Sequence, residues 1–254
     1  MAAIRTPPAL LVRAALLQTG GMATDRPTGP PLPSSDADQH ARRLAGEALA
    51  AGEPTGWFEP LYAAAEAGRA VIPWDRGIPH QLLVAWARST GLDGNGRPAL
   101  VVGCGLGEDA EFVATPGFDT VAFDVSASAI RAARRRFPES AVHYVTADLL
   151  HPPPSWRYAF DRVVESMTLQ ALPDPPRREA IPNVGRMVAP GGTLLVIARA
   201  RDEGSDPGAG PRWSLTRAEI DAVTATGLRP VRIEELRDQG PPATHRWLVL
   251  YRRG

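Results

Sequence analysis

The segment Leu100-Val101-Val102-Gly103-Cys104-Gly105-Leu106-Gly107-Glu108 carries an apolar run straight into three glycines at alternate positions, then into an acidic helix start. A strand that turns this sharply needs glycine for left-handed backbone and for close approach to a neighbour or ligand. The N–H groups of the helix that follows point out of the turn and attract anions or polar groups. From here on, short apolar runs alternate with amphipathic stretches. Strands are predicted at 99–102, 120–123, 142–145, 160–164 and 193–198, with helices at 108–114, 127–137 and 178–188. Such alternation specifies right-handed crossovers and an α/β, doubly wound, mostly parallel sheet covered on both faces. After a helix at 217–225, the strands at 231–236 and 246–251 have no helix between them. The seven-stranded sheet should therefore end in an antiparallel hairpin.

Ahead of this unit lies a helical preface, predicted at 38–51, 58–67 and 79–89. Residues 1–45 are Pro-rich, with Pro7, Pro8, Pro27, Pro30, Pro31 and Pro33, a composition expected of a disordered tail, and Met22 is an alternative start. The remainder, 46–254, reads as one domain. Arg13 interrupts the apolar stretch at 9–17, which argues against a secretory signal. No apolar run approaches the roughly 20 residues of a membrane helix, and the single cysteine, Cys104, permits no internal disulfide. A cytoplasmic protein is expected.

The 28 basic and 28 acidic residues cancel, which leaves no global field to draw nucleic acid or an anionic membrane. All 28 basic residues are arginine. Without lysine there is no Schiff-base chemistry, no Walker-type phosphate lysine and no kinase strand lysine. The five histidines, His40, His80, His143, His151 and His245, show no ligand spacing, so no metal site is expected.

Two further strand tips carry acids. Asp124 ends the second strand 21 residues after Gly103, where a carboxylate can accept both hydroxyls of a ribose or, alternatively, cap the helix that starts near Ser126. Asp148-Leu149 follows the third strand and offers an acid and an N–H to an adenine edge, unless Asp148 is an ordinary loop acid. A dinucleotide site is the alternative. It is disfavoured because G-x-G-x-x-G needs glycine where Glu108 stands, and a Tyr-x-x-x-Lys pair is impossible here.

The glycine loop, Asp124, Asp148, the strand Phe160 to Glu165 and Val188-Ala189-Pro190-Gly191-Gly192 occur in the order of a class I S-adenosylmethionine-dependent methyltransferase, which residues 100–200 resemble. Val101 stands where that superfamily usually has an acid. Gly56-Trp57-Phe58-Glu59, Pro73-Trp74-Asp75-Arg76-Gly77 and Gly210-Pro211-Arg212-Trp213 resemble elements of the thiopurine S-methyltransferase and halide/thiol methyltransferase-like group. Leu61 takes the place of a second family tryptophan, which leaves the substrate open.

This resemblance implies a Rossmann-like fold and methyl transfer from S-adenosylmethionine to a small-molecule acceptor. A thiol or other soft nucleophile is favoured over an oxygen or nitrogen acceptor, and a non-catalytic cofactor-binding protein is a further alternative. By the same resemblance Trp57 and Trp74 cover the cofactor, Gly103 and Gly105 approach its methionine part, Asp124 takes the ribose, and Asp148 with Leu149 the adenine. The two tryptophans also suit a second role, as anchors of the N-terminal helices. Glu165 at the fourth strand tip is the candidate for proton transfer, with cofactor binding or capping of its own loop as alternatives. Ser166 beside it is placed among the cofactor residues, and His80 is a weaker candidate base. The segment 199–212 has the composition of either a lid or a plain insertion. Its Arg199, Arg201 and Arg212 either greet an anionic acceptor or stay solvated.

Overall fold

In a computed structural model, residues 35–207, 210–238 and 243–254 are described. The seven strands are β1 (Pro98–Val102), β2 (Asp119–Asp124), β3 (His143–Thr146), β4 (Phe160–Ser166), β5 (Val188–Arg199), β6 (Leu228–Asp238) and β7 (Thr244–Arg253). They lie in the order β3-β2-β1-β4-β5-β7-β6. Strands β1 to β5 pair in parallel, and β7 is antiparallel to both β5 and β6. The strand order reverses between β1 and β4, the crevice where an open α/β sheet takes its ligands.

Three helices, α1 (Ser35–Ala50), α2 (Phe58–Glu66) and α3 (Gln81–Thr90), form the preface, and α4 (Glu108–Ala114), α5 (Ala127–Arg136), α6 (Pro176–Arg186) and α7 (Arg217–Asp221) flank the sheet. Local chemistry sets their ends. Ser126 accepts from Ala129 N at the start of α5, Thr216 and Glu219 form a reciprocal capping box on α7, and Gly91 closes α3 in left-handed backbone at φ 61. Because both faces of the parallel sheet are covered, its central strands are continuously buried, as at Val163, Val164 and Leu194 to Ala198. One apolar layer includes Leu100, Val102, Ile181, Val184, Leu194 and Tyr251. The layer on the other side includes Trp86, Val101, Val113, Ile130, Val164 and Leu195, so Val101 simply packs.

Several boundaries differ from expectation. Helix α1 begins at Ser35 and buries Ala37, Ala41 and Ala45, so the expected tail boundary at residue 45 falls inside a packed helix. The remainder of that tail, 1–34, lies outside the described residues. The Pro190-Gly191-Gly192 turn lies within β5: Phe160 pairs with Val188 and Arg162 with Thr193, so four residues bulge opposite one. The helix expected over 217–225 is α7 followed by a 3-10 turn, Ala222–Thr226. Among the described residues no helix is long and apolar enough to cross a membrane.

Candidate cofactor and acceptor site

A cleft of about 300 Å³ opens where β1, β2 and β4 end, and it is roofed by the segment between α2 and α3. Trp57, Trp74, Gly103, Gly105, Asp124, Asp148, Leu149 and Ser166 all line it. All eight residues placed with the cofactor from the sequence thus line one space.

The three loop glycines serve three different neighbours. Gly103, Gly105 and Gly107 have φ of 59, 54 and 102, a region where side chains are strained. A Cβ on Gly103 would run into Thr168, whose hydroxyl donates to Val102 O at 3.0 Å, and one on Gly107 would strike Tyr144. At Gly105 the added atom would point toward the roof of the cleft, 3.0 Å from the Tyr62 hydroxyl and 3.9 Å from Trp74 Nε1. Gly103 lines the cleft, but it is required as glycine to pack Thr168.

Asp124 is buried, with Oδ2 accepting from Gly105 N and Oδ1 from Ser126 N, both at 3.0 Å. Burial pushes its carboxyl up to about 6, against the pull of those N–H groups. Ser126 itself caps α5, so Asp124 ties the glycine loop to that cap rather than capping the helix in its place. Asp148 accepts from Leu150 N at 2.9 Å and contacts His151 Nδ1 at 3.0 Å. Asn183 on α6 fixes the same loop by donating to Leu149 O at 3.0 Å.

Above the strand tips, Trp57 and Trp74 meet edge to face at 5.9 Å, and Trp74 Nε1 donates to the Tyr62 hydroxyl at 2.9 Å. Trp57 is buried, yet its Nε1 has no partner. The roof is anchored by Glu59, unassigned in the sequence although it ends the Gly-Trp-x-Glu element. Its carboxylate accepts from Ser126 Oγ (2.6 Å), Ser128 Oγ (2.6 Å) and Ser128 N (3.0 Å) at the start of α5. Burial raises the Glu59 carboxyl, but those serine bonds and Arg131 together bring it below its ordinary value.

Glu165 departs from expectation. It is fully buried and does not line the cleft, and its Oε1 accepts from Thr168 N at 2.7 Å and Leu169 N at 2.8 Å. Of the roles open to it, it caps its own loop, and a proton-transfer role is corrected by this burial. His80 does line the cleft, but its Nδ1 accepts from Leu82 N at 3.2 Å, and burial drives its pKa down to about 4. Met167, next to Ser166, holds left-handed backbone at φ 67. A long side chain in that conformation is unusual, and here it sits on the cleft wall.

The segment after β5 is pinned at its root, where Ala200 and Leu215 form a bridge and Trp213 N donates to Gln170 O at 2.8 Å. Arg199 and Arg212 reach the cleft, whereas Arg201 turns away to Ser214 O at 2.8 Å. Arg76 and Arg246 line it as well. Asp202, Glu235 and His245 gather within 4.8 Å of one another at the surface, a group that sequence spacing did not reveal, and Arg237 bonds to both carboxylates.

Residues 99–192 match a methyltransferase domain family. The chain is 27% identical over 189 residues to probable thiol methyltransferase 2 of Arabidopsis thaliana, covering 73% of this chain and 78% of that one. It is 27% identical over 172 residues to thiocyanate methyltransferase 1 of Brassica oleracea, covering 65% and 72%. By these matches the chain is similar to the class I S-adenosylmethionine-dependent methyltransferases. The fold agrees: the N-methyltransferase NodS of Bradyrhizobium japonicum, solved with S-adenosyl-L-homocysteine, superposes with a TM-score of 0.58 at 22% identity, over 77% of this chain and 98% of that one.

The cofactor of this methyltransferase is S-adenosylmethionine, and the chemistry of the cleft fits it. A carboxylate has about four acceptor sites, and the N–H groups of Gly105, Ser126 and Val125 that act on Asp124 leave it capacity for a ribose hydroxyl. The orphaned Nε1 of Trp57 offers a buried donor. Aromatic faces attract a desolvated cation by roughly 0.5–2 kcal/mol, which suits a sulfonium.

Proposed function

We propose that the methyltransferase moves the methyl group of S-adenosylmethionine onto a small-molecule thiol or another soft nucleophile. In this reading Asp124 accepts from a ribose hydroxyl, and Asp148 with Leu149 meets the adenine. Gly103, Gly105 and Ser166 border the methionine part, and Trp57 with Trp74 screens the sulfonium from water. S-adenosylmethionine supplies a methyl group already activated for displacement. What the chain adds is orientation, exclusion of water and, where the acceptor demands it, a base.

One observation carries the choice of acceptor: among the described residues of the cleft, each acid or imidazole that could take a proton already holds a hydrogen bond or ion pair, and the remaining capacity of Asp124 is reserved for the ribose. Asp75 and Glu108 share Arg136, Asp109 accepts from His80 N at 2.7 Å, and Asp124 and Asp148 hold backbone N–H groups. His80 is neutral with its Nδ1 occupied, and burial pushes the Tyr62 hydroxyl well above its ordinary value. Glu165 is sealed behind the wall. A phenol, alcohol or ammonium must lose its proton to a base before attack, whereas a thiol of pKa about 8.5 carries a reactive thiolate fraction at neutral pH. The thiol and thiocyanate methyltransferase names of the two plant relatives point the same way.

The test is competition among thiophenol, phenol and aniline, which differ in the attacking atom, with methylated products quantified by mass spectrometry. Thiophenol should be methylated at least 100-fold faster, with a pH profile that follows its own ionisation. Preferential methylation of phenol or aniline overturns the reading.

A further inference from the structure

Arg199 on β5 and Arg246 on β7 stand directly opposite each other in the antiparallel pair, and both line the cleft. Arg76, from the segment between α2 and α3, lines it too. Like charges directly opposite on neighbouring strands destabilise a sheet, and a carboxylate ordinarily sits nearby to offset them. Here none does. Arg212 is neutralised by Asp38 at 2.6 Å, and Arg201 turns to Glu219 at 3.6 Å. Among the described residues, no ion pair reaches Arg76, Arg199 or Arg246. Among the described residues, the side chain of Arg246 donates to the carbonyl of His245 at 3.2 Å.

The surrounding charges leave this excess uncancelled. His80, beside Arg76 and Arg246, is held neutral chiefly by burial, and Asp109 is occupied by His80 N. Burial, then Arg199 and Arg76, lowers the Arg246 guanidinium to about 10. Burial, then Arg212, with Arg76 adding and Asp38 opposing, lowers Arg199. Three guanidinium groups that repel one another around a single space would be relieved by an anion placed among them. Planar guanidinium forks match a carboxylate-type oxyanion with paired hydrogen bonds.

We propose that Arg76, Arg199 and Arg246 form an oxyanion subsite that holds a carboxylate-type group of the methyl acceptor. The sheet order sets the two strand arginines apart from the cofactor half, while Arg76 reaches in from the roof. Three strand spacings lie between β1 and β7 in the order β1-β4-β5-β7, or about 14 Å at 4.8 Å per strand, so Arg246 is remote from Gly105 and Asp124. Combined with the proposed function, on which this inference rests, the acceptor is a small thiol that also carries an oxyanion.

Two thiols that differ only in that group, 3-mercaptopropionate and 3-mercapto-1-propanol, make the test. The acid should show a KM at least tenfold below that of the alcohol in the wild-type protein. In Arg199→Gln and Arg246→Gln that ratio should fall toward one through KM, while Tm rises as the cross-strand repulsion is removed. Equal KM values in the wild type, or a ratio that survives both substitutions, overturn the proposal. So does a parallel loss of S-adenosylhomocysteine affinity, which would assign the arginines to the cofactor's own carboxylate. Should neither thiol turn over, calorimetric titration of the S-adenosylhomocysteine-saturated protein with 3-(methylthio)propionate decides. Binding that disappears in the variants supports the subsite while the thiol reading falls; no binding in the wild type overturns the subsite itself.

Discussion

Replacing Glu165 by Gln separates charge from shape at the most deeply buried acid beside the cleft. Oε1 of Glu165 accepts from Thr168 N at 2.7 Å and Leu169 N at 2.8 Å, while Oε2 is buried without a partner. A glutamine keeps an oxygen for both N–H groups and places its amide nitrogen where Oε2 stands. Burial pushes the carboxyl from 4.5 up to about 7, although the two N–H groups pull it down. At roughly 1.4 kcal/mol for each pKa unit, holding this group ionised costs the fold about 3 kcal/mol at high pH. Because the folded-state pKa is raised, the stabilisation is complete below the unfolded value near 4.5 and is lost as pH rises through about 7. At pH 5 the wild-type side chain is protonated, and its unpartnered O–H is equivalent to the unpartnered amide of the variant. Glu165→Gln should therefore match wild type there within about 0.5 kcal/mol and exceed it by about 2 kcal/mol at pH 8.5. Urea unfolding at both pH values measures the difference, and methyl transfer measured alongside should keep its kcat within about threefold. A stability difference independent of pH would refute the burial argument. A kcat loss of 100-fold or more in a well-folded variant would restore Glu165 to the chemistry.

Asp124→Asn should weaken S-adenosylhomocysteine about 10- to 100-fold by calorimetry, since it removes a charged acceptor. In the wild type affinity should rise with pH through about 6 as the carboxylate forms, and in the variant it should be flat. Glu59→Ala removes three hydrogen bonds to Ser126 and Ser128 at the start of α5. Because Glu59 is itself exposed, the expected loss is about 2 kcal/mol in chemical unfolding rather than the full sum for three charged bonds. Its carboxyl is lowered on folding, so this contribution should be complete above the unfolded pKa and fade as pH falls through the folded one. Gly105→Ala must hold a side chain at φ 54 and displace the Tyr62 hydroxyl 3.0 Å away. A stability loss of about 1–2 kcal/mol from the backbone alone should accompany weaker cofactor binding.

Which parts of the site were legible in the sequence follows from how far apart in the chain their partners lie. The glycine loop, Asp124 and Asp148 are each written within one strand-to-helix turn, where glycine, acid and apolar run obey local rules, and all of them reach the cleft. Glu165 sits at an equivalent strand tip but turns inward, because a parallel strand buried on both faces carries no alternation to tell which way an acid points. Its direction was settled by the turn three and four residues later, where Thr168 N and Leu169 N needed an acceptor. Glu59 finds its serines 67 and 69 residues away, and no local pattern announces such a bond. The pairing of Arg199 with Arg246 is more remote still. The missing helix between the last two strands gave an antiparallel hairpin, but not that β7 would insert beside β5 and bring those two residues into register. The proposed cofactor half of the cleft is therefore built from short-range turn chemistry that a superfamily can share. The proposed acceptor half is assembled by strand insertion, with Arg76 added from the roof, so its charge pattern can change through single residues that leave every local motif intact. Recognition of the acceptor is for that reason the least readable property of the sequence and the one most directly exposed by the fold.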